Sequence, residues 1–271
     1  MDLGLTGKRV LIAGAGGDVG RATALVLARE GAVTTLVGRT RKTLEETAAL
    51  VRDLGGVAHV VPGDAGSSEA VTAIVTKAVE IMGGLDALAN TIGPFPSKWR
   101  EIPGFDPLYG NDESWADNFQ AVFMGPVRLV RECLMLMKRN RHGAIVTLAA
   151  NSAKHHSAGT AQYAAMKAAL AHITKNWARD AIRSGVRVNA VLPGWIRTAA
   201  VDKRIAAEVA REGLSDKAIE QKLIEAHENV FWSGRMGGVE EYAQVIAFLL
   251  SDRASYVNGV LLSVDGGSAA G

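Results

Sequence analysis

The chain has 271 residues, 48% hydrophobic and 21% charged, and its thirty basic and twenty-eight acidic side chains leave a net charge of +2. That composition supplies a core and excludes a disordered chain, and the near-balance of charge excludes a nucleic-acid binder working by bulk charge. A single cysteine, Cys133, excludes an intrachain disulfide and argues against a cysteine-based zinc site. The opening Met1–Gly7 carries no charged-then-apolar signal pattern, and no uncharged apolar run approaches the ~18 residues of a membrane span. The expectation is a cytoplasmic globular protein with no metal, nucleic-acid or membrane partner.

The first predicted strand is Arg9–Ala13, a short apolar run ending in glycines, as expected where both faces are buried. A helix from about Val19 to Glu30 follows, with Gly31 placed for a left-handed C-terminal cap. The alternation continues with a strand at 33–37, a helix at 42–54, a strand at 57–61, a helix at 68–82 and a strand at 85–89. The stretch from Gly93 to Asn111 contains Phe95, Trp99, Phe105 and Tyr109 and reads as a substrate-side wall. A long helix is predicted over 113–140 with a kink at Gly125-Pro126, then a strand at 144–149, a helix at 160–184 and a strand at 186–192. Charged helical sequence fills 201–229, and a helix at 239–251 and a strand at 259–264 close the pattern. Repeated strand–helix crossovers predict one α/β domain over 1–271: a doubly wound Rossmann-type parallel sheet with helices on both faces. A substrate lid is expected at about 195–235.

The first strand runs into Ala13-Gly14-Ala15-Gly16-Gly17-Asp18-Val19-Gly20. A glycine loop between a strand and a helix turns backbone N–H groups toward a pyrophosphate, and a Cβ would block the tight turn and the close approach. Gly14, Gly16, Gly17, Asp18 and Val19 are therefore candidate dinucleotide contacts. The second strand ends in Gly38-Arg39-Thr40-Arg41-Lys42, with no acidic residue from 37 to 42. An acid there would bind the ribose 2′-hydroxyl of NAD(H), whereas Arg39 and Thr40 suit the 2′-phosphate of NADP(H), so NADP(H) is preferred over NAD(H). Tyr163 and Lys167 stand four apart on a predicted helix and so share a face. An ammonium beside a phenol favours the phenolate, which predicts a lowered tyrosine pKa and a usable proton donor and acceptor.

Taken together, these motifs resemble the short-chain dehydrogenase/reductase superfamily in its classical form across almost the whole chain. Further matches are Asp64-Ala65 after the third strand and Asn90-Thr91-Ile92-Gly93 after the fourth. Two more are Pro193-Gly194 through Ile196 and Thr198 after the sixth strand, and Asp265-Gly266-Gly267 near the end. The resemblance implies that Asp64 binds the adenine amino group with Ala65 packed nearby, and that Asn90, Ile92 and Gly93 form a loop touching the cofactor ribose. It also implies that Pro193, Gly194, Ile196 and Thr198 border the nicotinamide, and that Tyr163 and Lys167 are both catalytic and cofactor-binding. A homotetramer or dimer built on the helices at 113–140 and 160–184 is implied as well.

Three positions depart from the family pattern. Asp18 stands where the loop's second glycine is expected, and a carboxylate pointing inward would repel a pyrophosphate; at a helix start it is expected to cap free N–H groups instead. Ala150 stands at the expected catalytic serine, and Ser152, on the same strand face by alternation, is the candidate replacement. Val122 stands where an asparagine is expected to hold a water that feeds protons to the lysine. The neighbouring His155 and His156 have no evident companion ligands, so they read as surface loop. The leading reading is an NADP(H)-dependent oxidoreductase interconverting a carbonyl and an alcohol on a bulky or aromatic small molecule. Its alternatives are a lyase, dehydratase or isomerase on the same fold with no net redox, and a non-catalytic cofactor-binding protein.

Overall fold

The computed structural model describes residues 2–93, 106, 108–155, 161–226 and 232–268. The strands are β1 (Arg9–Ala13), β2 (Val33–Gly38), β3 (Val57–Pro62), β4 (Ala87–Asn90), β5 (Gly143–Leu148), β6 (Val186–Pro193), β7 (Ile196–Arg197), β8 (Gly237–Gly238) and β9 (Leu261–Val264). The helices are α1 (Asp18–Arg29), α2 (Arg41–Asp53), α3 (Ser68–Met82), α4 (Asp112–Asn118), α5 (Gly125–Asn140), α6 (Ala161–Ala181), α7 (Ala199–Glu212), α8 (Asp216–Glu225) and α9 (Val239–Leu250). Seven strands form one sheet in the order β3-β2-β1-β4-β5-β6-β9, and every pair in it is parallel. This is the expected doubly wound α/β fold.

Strand alternation sends Val10 and Ile12 of β1 into one core and Leu11 and Ala13 into the other. The first core packs α1, α2 and α9 against the sheet, and the second packs α3, α5 and α6. The chain runs outward from β1 through β2 to β3, then returns to place β4 on the other side of β1. That reversal opens a crevice beyond the C-terminal ends of β1 and β4, where this architecture binds ligands. The opposite end of the same strands is pinned: the Arg9 guanidinium donates twice to Asp86, at 2.7 and 2.8 Å.

The element boundaries differ from the sequence reading by one or two residues at most ends. The long helix differs more. Between α4 and α5 lies a π-helical segment, Phe119–Met124, in which Gly125 N–H reaches back to the Gln120 carbonyl. Pro126 follows at once; it has no N–H, and its ring crowds the carbonyl four residues earlier, at Val122. The helical pattern is thus interrupted by a π segment that ends where the kink at Gly125-Pro126 is expected. Strand alternation also ends sooner than expected: β5 stops at Leu148, and Asn151–Ala153 form a 3-10 turn, so Ala150 and Ser152 are not on one strand face. The two-residue pair β7–β8 is a further element that the sequence pattern did not reveal.

Most of the wall expected at 93–111 lies outside the described residues, including Phe95, Trp99 and Phe105, as do Phe231 of the lid and His156. Among the described residues no helix is long and apolar enough to cross a membrane, and no cluster of three metal-ligating side chains occurs.

Candidate active site

The glycine loop is shaped by backbone packing. Gly14 has φ +85°, and its N–H and that of Ala15 both donate to the Val37 carbonyl at 2.9 and 3.1 Å. A Cβ on Gly14 would lie 2.7 Å from Thr91 Oγ1, which itself donates to Ala13 O at 2.7 Å. A Cβ on Gly20 would strike the Gly14 carbonyl, and one on Gly16 would strike the Thr43 side chain. Gly17 donates to Gly14 O at 3.0 Å, and the first helical bond of α1 runs from Arg21 N–H to Gly17 O at 2.8 Å. The N–H groups of Asp18, Val19 and Gly20 precede that bond, at the positive end of the helix dipole, while the Val19 side chain is buried in the core. This is a seat for an anion with no room for side chains.

Asp18 does not cap its own helix, whose N-cap is Gly17 without a side-chain bond. Its Oδ2 instead accepts the N–H of Ala199, the first residue of α7, at 3.3 Å. The expected capping role thus falls on another helix, 181 residues away along the chain.

At the end of β2, Arg39 and Thr40 are exposed, and Thr40 is the N-cap of α2 without a side-chain bond. Arg41 pairs with Glu45 at 3.4 Å, whereas no ion pair to Arg39 occurs among the described residues. At the end of β3 the exposed Asp64 accepts the Gly66 N–H at 3.1 Å, and Ala65 is buried beside α5.

Asn90 ends β4 fully buried; its amide donates to Pro126 O at 3.3 Å, and its Oδ1 has no partner among the described residues. Ile92 packs on the second core. Gly93, at φ +143°, passes so close to Lys167 that a Cβ would collide with Nζ. The bare backbone of this loop therefore makes the space that the ammonium occupies.

Tyr163 and Lys167 stand one turn apart on α6, as their spacing predicts. Lys167 is fully buried, donates to Leu148 O at 2.7 Å, and lies 5.5 Å from the centre of the Tyr163 ring. Burial lowers the Lys167 amine to about 7 and raises the Tyr163 hydroxyl above the ordinary phenol value. The expectation of a lowered tyrosine is therefore corrected. The amine faces the ring and a carbonyl, and desolvation drives both groups toward their neutral forms.

Two neighbouring groups complete this wall. Ser152, in the turn after β5, has a buried hydroxyl with no partner among the described residues, while Ala150 is buried with no polar group to offer. Val122 is completely buried in the π segment. One turn before it, Asn118 is also buried; it donates to Ser114 O at 2.9 Å, and its Oδ1 has no partner among the described residues. Gln162, next to Tyr163, donates to the Ser114 hydroxyl at 2.7 Å and so fixes the first turn of α6 to α4. Sequence reading missed this polar contact, which no motif signals.

The far wall follows β6. Pro193 pairs with Val264, and a Cβ on Gly194 would lie 2.9 Å from the Asp265 backbone. Ile196 packs on the first core, and the Thr198 hydroxyl caps α7 by accepting Val201 N–H at 3.4 Å. Arg197 binds Asp202, Asp216 and Glu220 at 2.7, 3.1 and 2.6 Å, which joins α7 to α8. The glycine loop, the turn after β2, the buried amine, the phenol and the far wall all adjoin the C-terminal edge of one parallel sheet.

The sequence profile described as enoyl-(acyl carrier protein) reductase matches residues 14–269. The chain belongs to the short-chain dehydrogenase/reductase family. It is 32% identical to a 3-oxoacyl-(acyl-carrier-protein) reductase of Thermotoga maritima, over 97% of this chain and 98% of that protein. Among solved structures, L-sorbose reductase from Gluconobacter frateurii, complexed with NADPH and L-sorbose, superposes with a TM-score of 0.88 at 31% identity, covering 99% of both chains. NAD+-bound xylitol dehydrogenase superposes with a TM-score of 0.81 at 29% identity, over 97% of this chain and 99% of that one. Relatives with each dinucleotide thus share this fold.

Proposed function

We propose that the chain is an NADP(H)-dependent oxidoreductase that interconverts a carbonyl and an alcohol on a bulky or aromatic small molecule. The observation that carries this reading is the placement of Tyr163 and Lys167, with Gly93 cleared for the amine, at the C-terminal edge that the glycine loop also serves. The loop fits a dinucleotide because Gly14, Gly16 and Gly20 leave no space for a Cβ, and because the first N–H groups of α1 precede its first helical bond. Gly14, Gly16, Gly17 and Val19 would hold the pyrophosphate, Asp64 and Ala65 the adenine, and Asn90, Ile92 and Gly93 the nicotinamide-side ribose. Pro193, Gly194, Ile196 and Thr198 would border the nicotinamide, which supplies or accepts the hydride when bound.

Arg39 supports the choice of NADP(H): it is exposed, carries no carboxylate partner among the described residues, and stands where an adenosine ribose meets β2. Reduction of a carbonyl needs a proton at the forming alkoxide. Tyr163, kept protonated by burial, supplies it, and Lys167 holds the amine end of the site between Leu148 and the ring. Ser152 has the free hydroxyl that can donate to the substrate oxygen in place of Ala150. The exposed rings of Tyr109, Trp195 and Trp232 support a bulky apolar substrate.

The test incubates the protein with NADPH and a panel of bulky cyclic and aromatic ketones. Loss of the reduced-nicotinamide absorbance, matched mole for mole by alcohol, is the expected result. Substrate conversion with that absorbance unchanged would replace this reading with a lyase or isomerase; absence of dinucleotide binding would leave neither.

A further inference from the structure

We propose that Asp18 is a positioning residue that fastens the substrate-side helix pair α7–α8 to the phosphate loop. Its carboxylate stands at the first residue of α1, makes no bond to that helix, and accepts the N–H of Ala199, the first residue of α7. That N–H is one of the donors a helix start leaves without an internal partner. Two further donors of the α7 start are met locally: Val201 N–H donates to the Thr198 hydroxyl, and Asp202 N–H donates to the Thr198 carbonyl at 2.9 Å. Among the described residues, Asp18 is the side chain from outside this segment that caps it.

The fastening reaches α8 through Arg197, which adjoins the cap residue and binds Asp202 on α7 and Asp216 and Glu220 on α8. By holding Ala199 N–H, Asp18 thus ties the glycine loop to the main-chain segment that carries the Thr198 cap and the Arg197 ion pairs to both helices. The same carboxylate stands beside the anion seat of α1. Its charge therefore opposes a bound phosphate while its hydrogen bond holds the wall of the substrate site. The consequence for substrate rests on the dinucleotide reading above; the tether itself does not.

Hydrogen exchange measured by mass spectrometry on the full chain without dinucleotide tests the tether. Asp18→Ala is expected to speed exchange across 199–202 about fivefold, the size of a typical lost helix cap, with β1 and β2 unchanged. Asp18→Asn, whose side-chain oxygen accepts the same bond, is expected to keep the parent rate. With NADPH and a carbonyl substrate, both variants are expected to bind the dinucleotide more tightly, while Asp18→Ala alone raises KM for the carbonyl several-fold with kcat held. Parent-like exchange in Asp18→Ala overturns the proposal, as does a loss in Asp18→Asn equal to that in Asp18→Ala. If exchange behaves as expected and no variant binds NADPH, the tether stands and the dinucleotide reading falls.

Discussion

The Lys167 ammonium sits 5.5 Å from the centre of the Tyr163 ring. It donates to the Leu148 carbonyl, and the missing side chain of Gly93 leaves the room it occupies. The amine is thus fixed by backbone, and its buried position sets its protonation.

That position gives a pH signature. In the unfolded chain the amine titrates at its ordinary 10.5, and in the folded chain burial brings it to about 7. Between those values the unfolded state holds a proton that the folded state lacks. Stability from this group therefore rises with pH across the window, by at most about 1.4 kcal/mol per unit, and is flat below it. Denaturant melts from pH 6 to 10 are expected to show a slope in the parent that Lys167→Met reduces. Parallel curves would contradict the burial of the amine.

On the proposed NADP(H) reading, Arg39 offers a charge-assisted contact to the 2′-phosphate that NAD(H) lacks. Arg39→Ala is expected to weaken NADPH by about 1.5–3 kcal/mol, roughly tenfold to a hundredfold, and to leave NADH unchanged. Thermal stabilisation by each dinucleotide measures this, because a ligand that binds only the folded state raises the melting temperature according to its affinity. Equal losses for both dinucleotides would place the phosphate elsewhere.

Ser152 carries the one side-chain hydroxyl in the turn Asn151–Ala153, and it is buried without a partner among the described residues. Ser152→Ala is expected to lower kcat by about 10²–10³, the typical cost of removing a donor to a developing oxyanion. Dinucleotide affinity is expected to hold. An unchanged kcat would assign the substrate oxygen to Tyr163 alone.

The fold was legible because strands buried on both faces leave apolar runs stopped by glycine, as at Val10–Ala13 before Gly14. The π segment was not, because it arises where Pro126 crowds a carbonyl inside an otherwise ordinary helical pattern. In the site, spacing places Tyr163 and Lys167 on one helix face and the glycines between β1 and α1, while the roles expected of them come from the family resemblance. The direction of Asp18 could not, since its partner Ala199 is fixed by tertiary packing 181 residues away. Its departure from the family glycine was nonetheless the signal that something else held it. The protonation of Tyr163 and Lys167 was misread for a related reason: spacing fixes that two groups are neighbours, whereas burial decides which charge state they keep.

Proton transfer by Tyr163 is tested most directly by measuring turnover and NADPH affinity together in Tyr163→Phe, which removes the hydroxyl and keeps the ring under the Lys167 ammonium. Turnover is expected to fall by at least about 10²-fold, within the range of a lost general acid, while NADPH binds as in the parent. Parent-like turnover in that variant would contradict proton transfer by Tyr163.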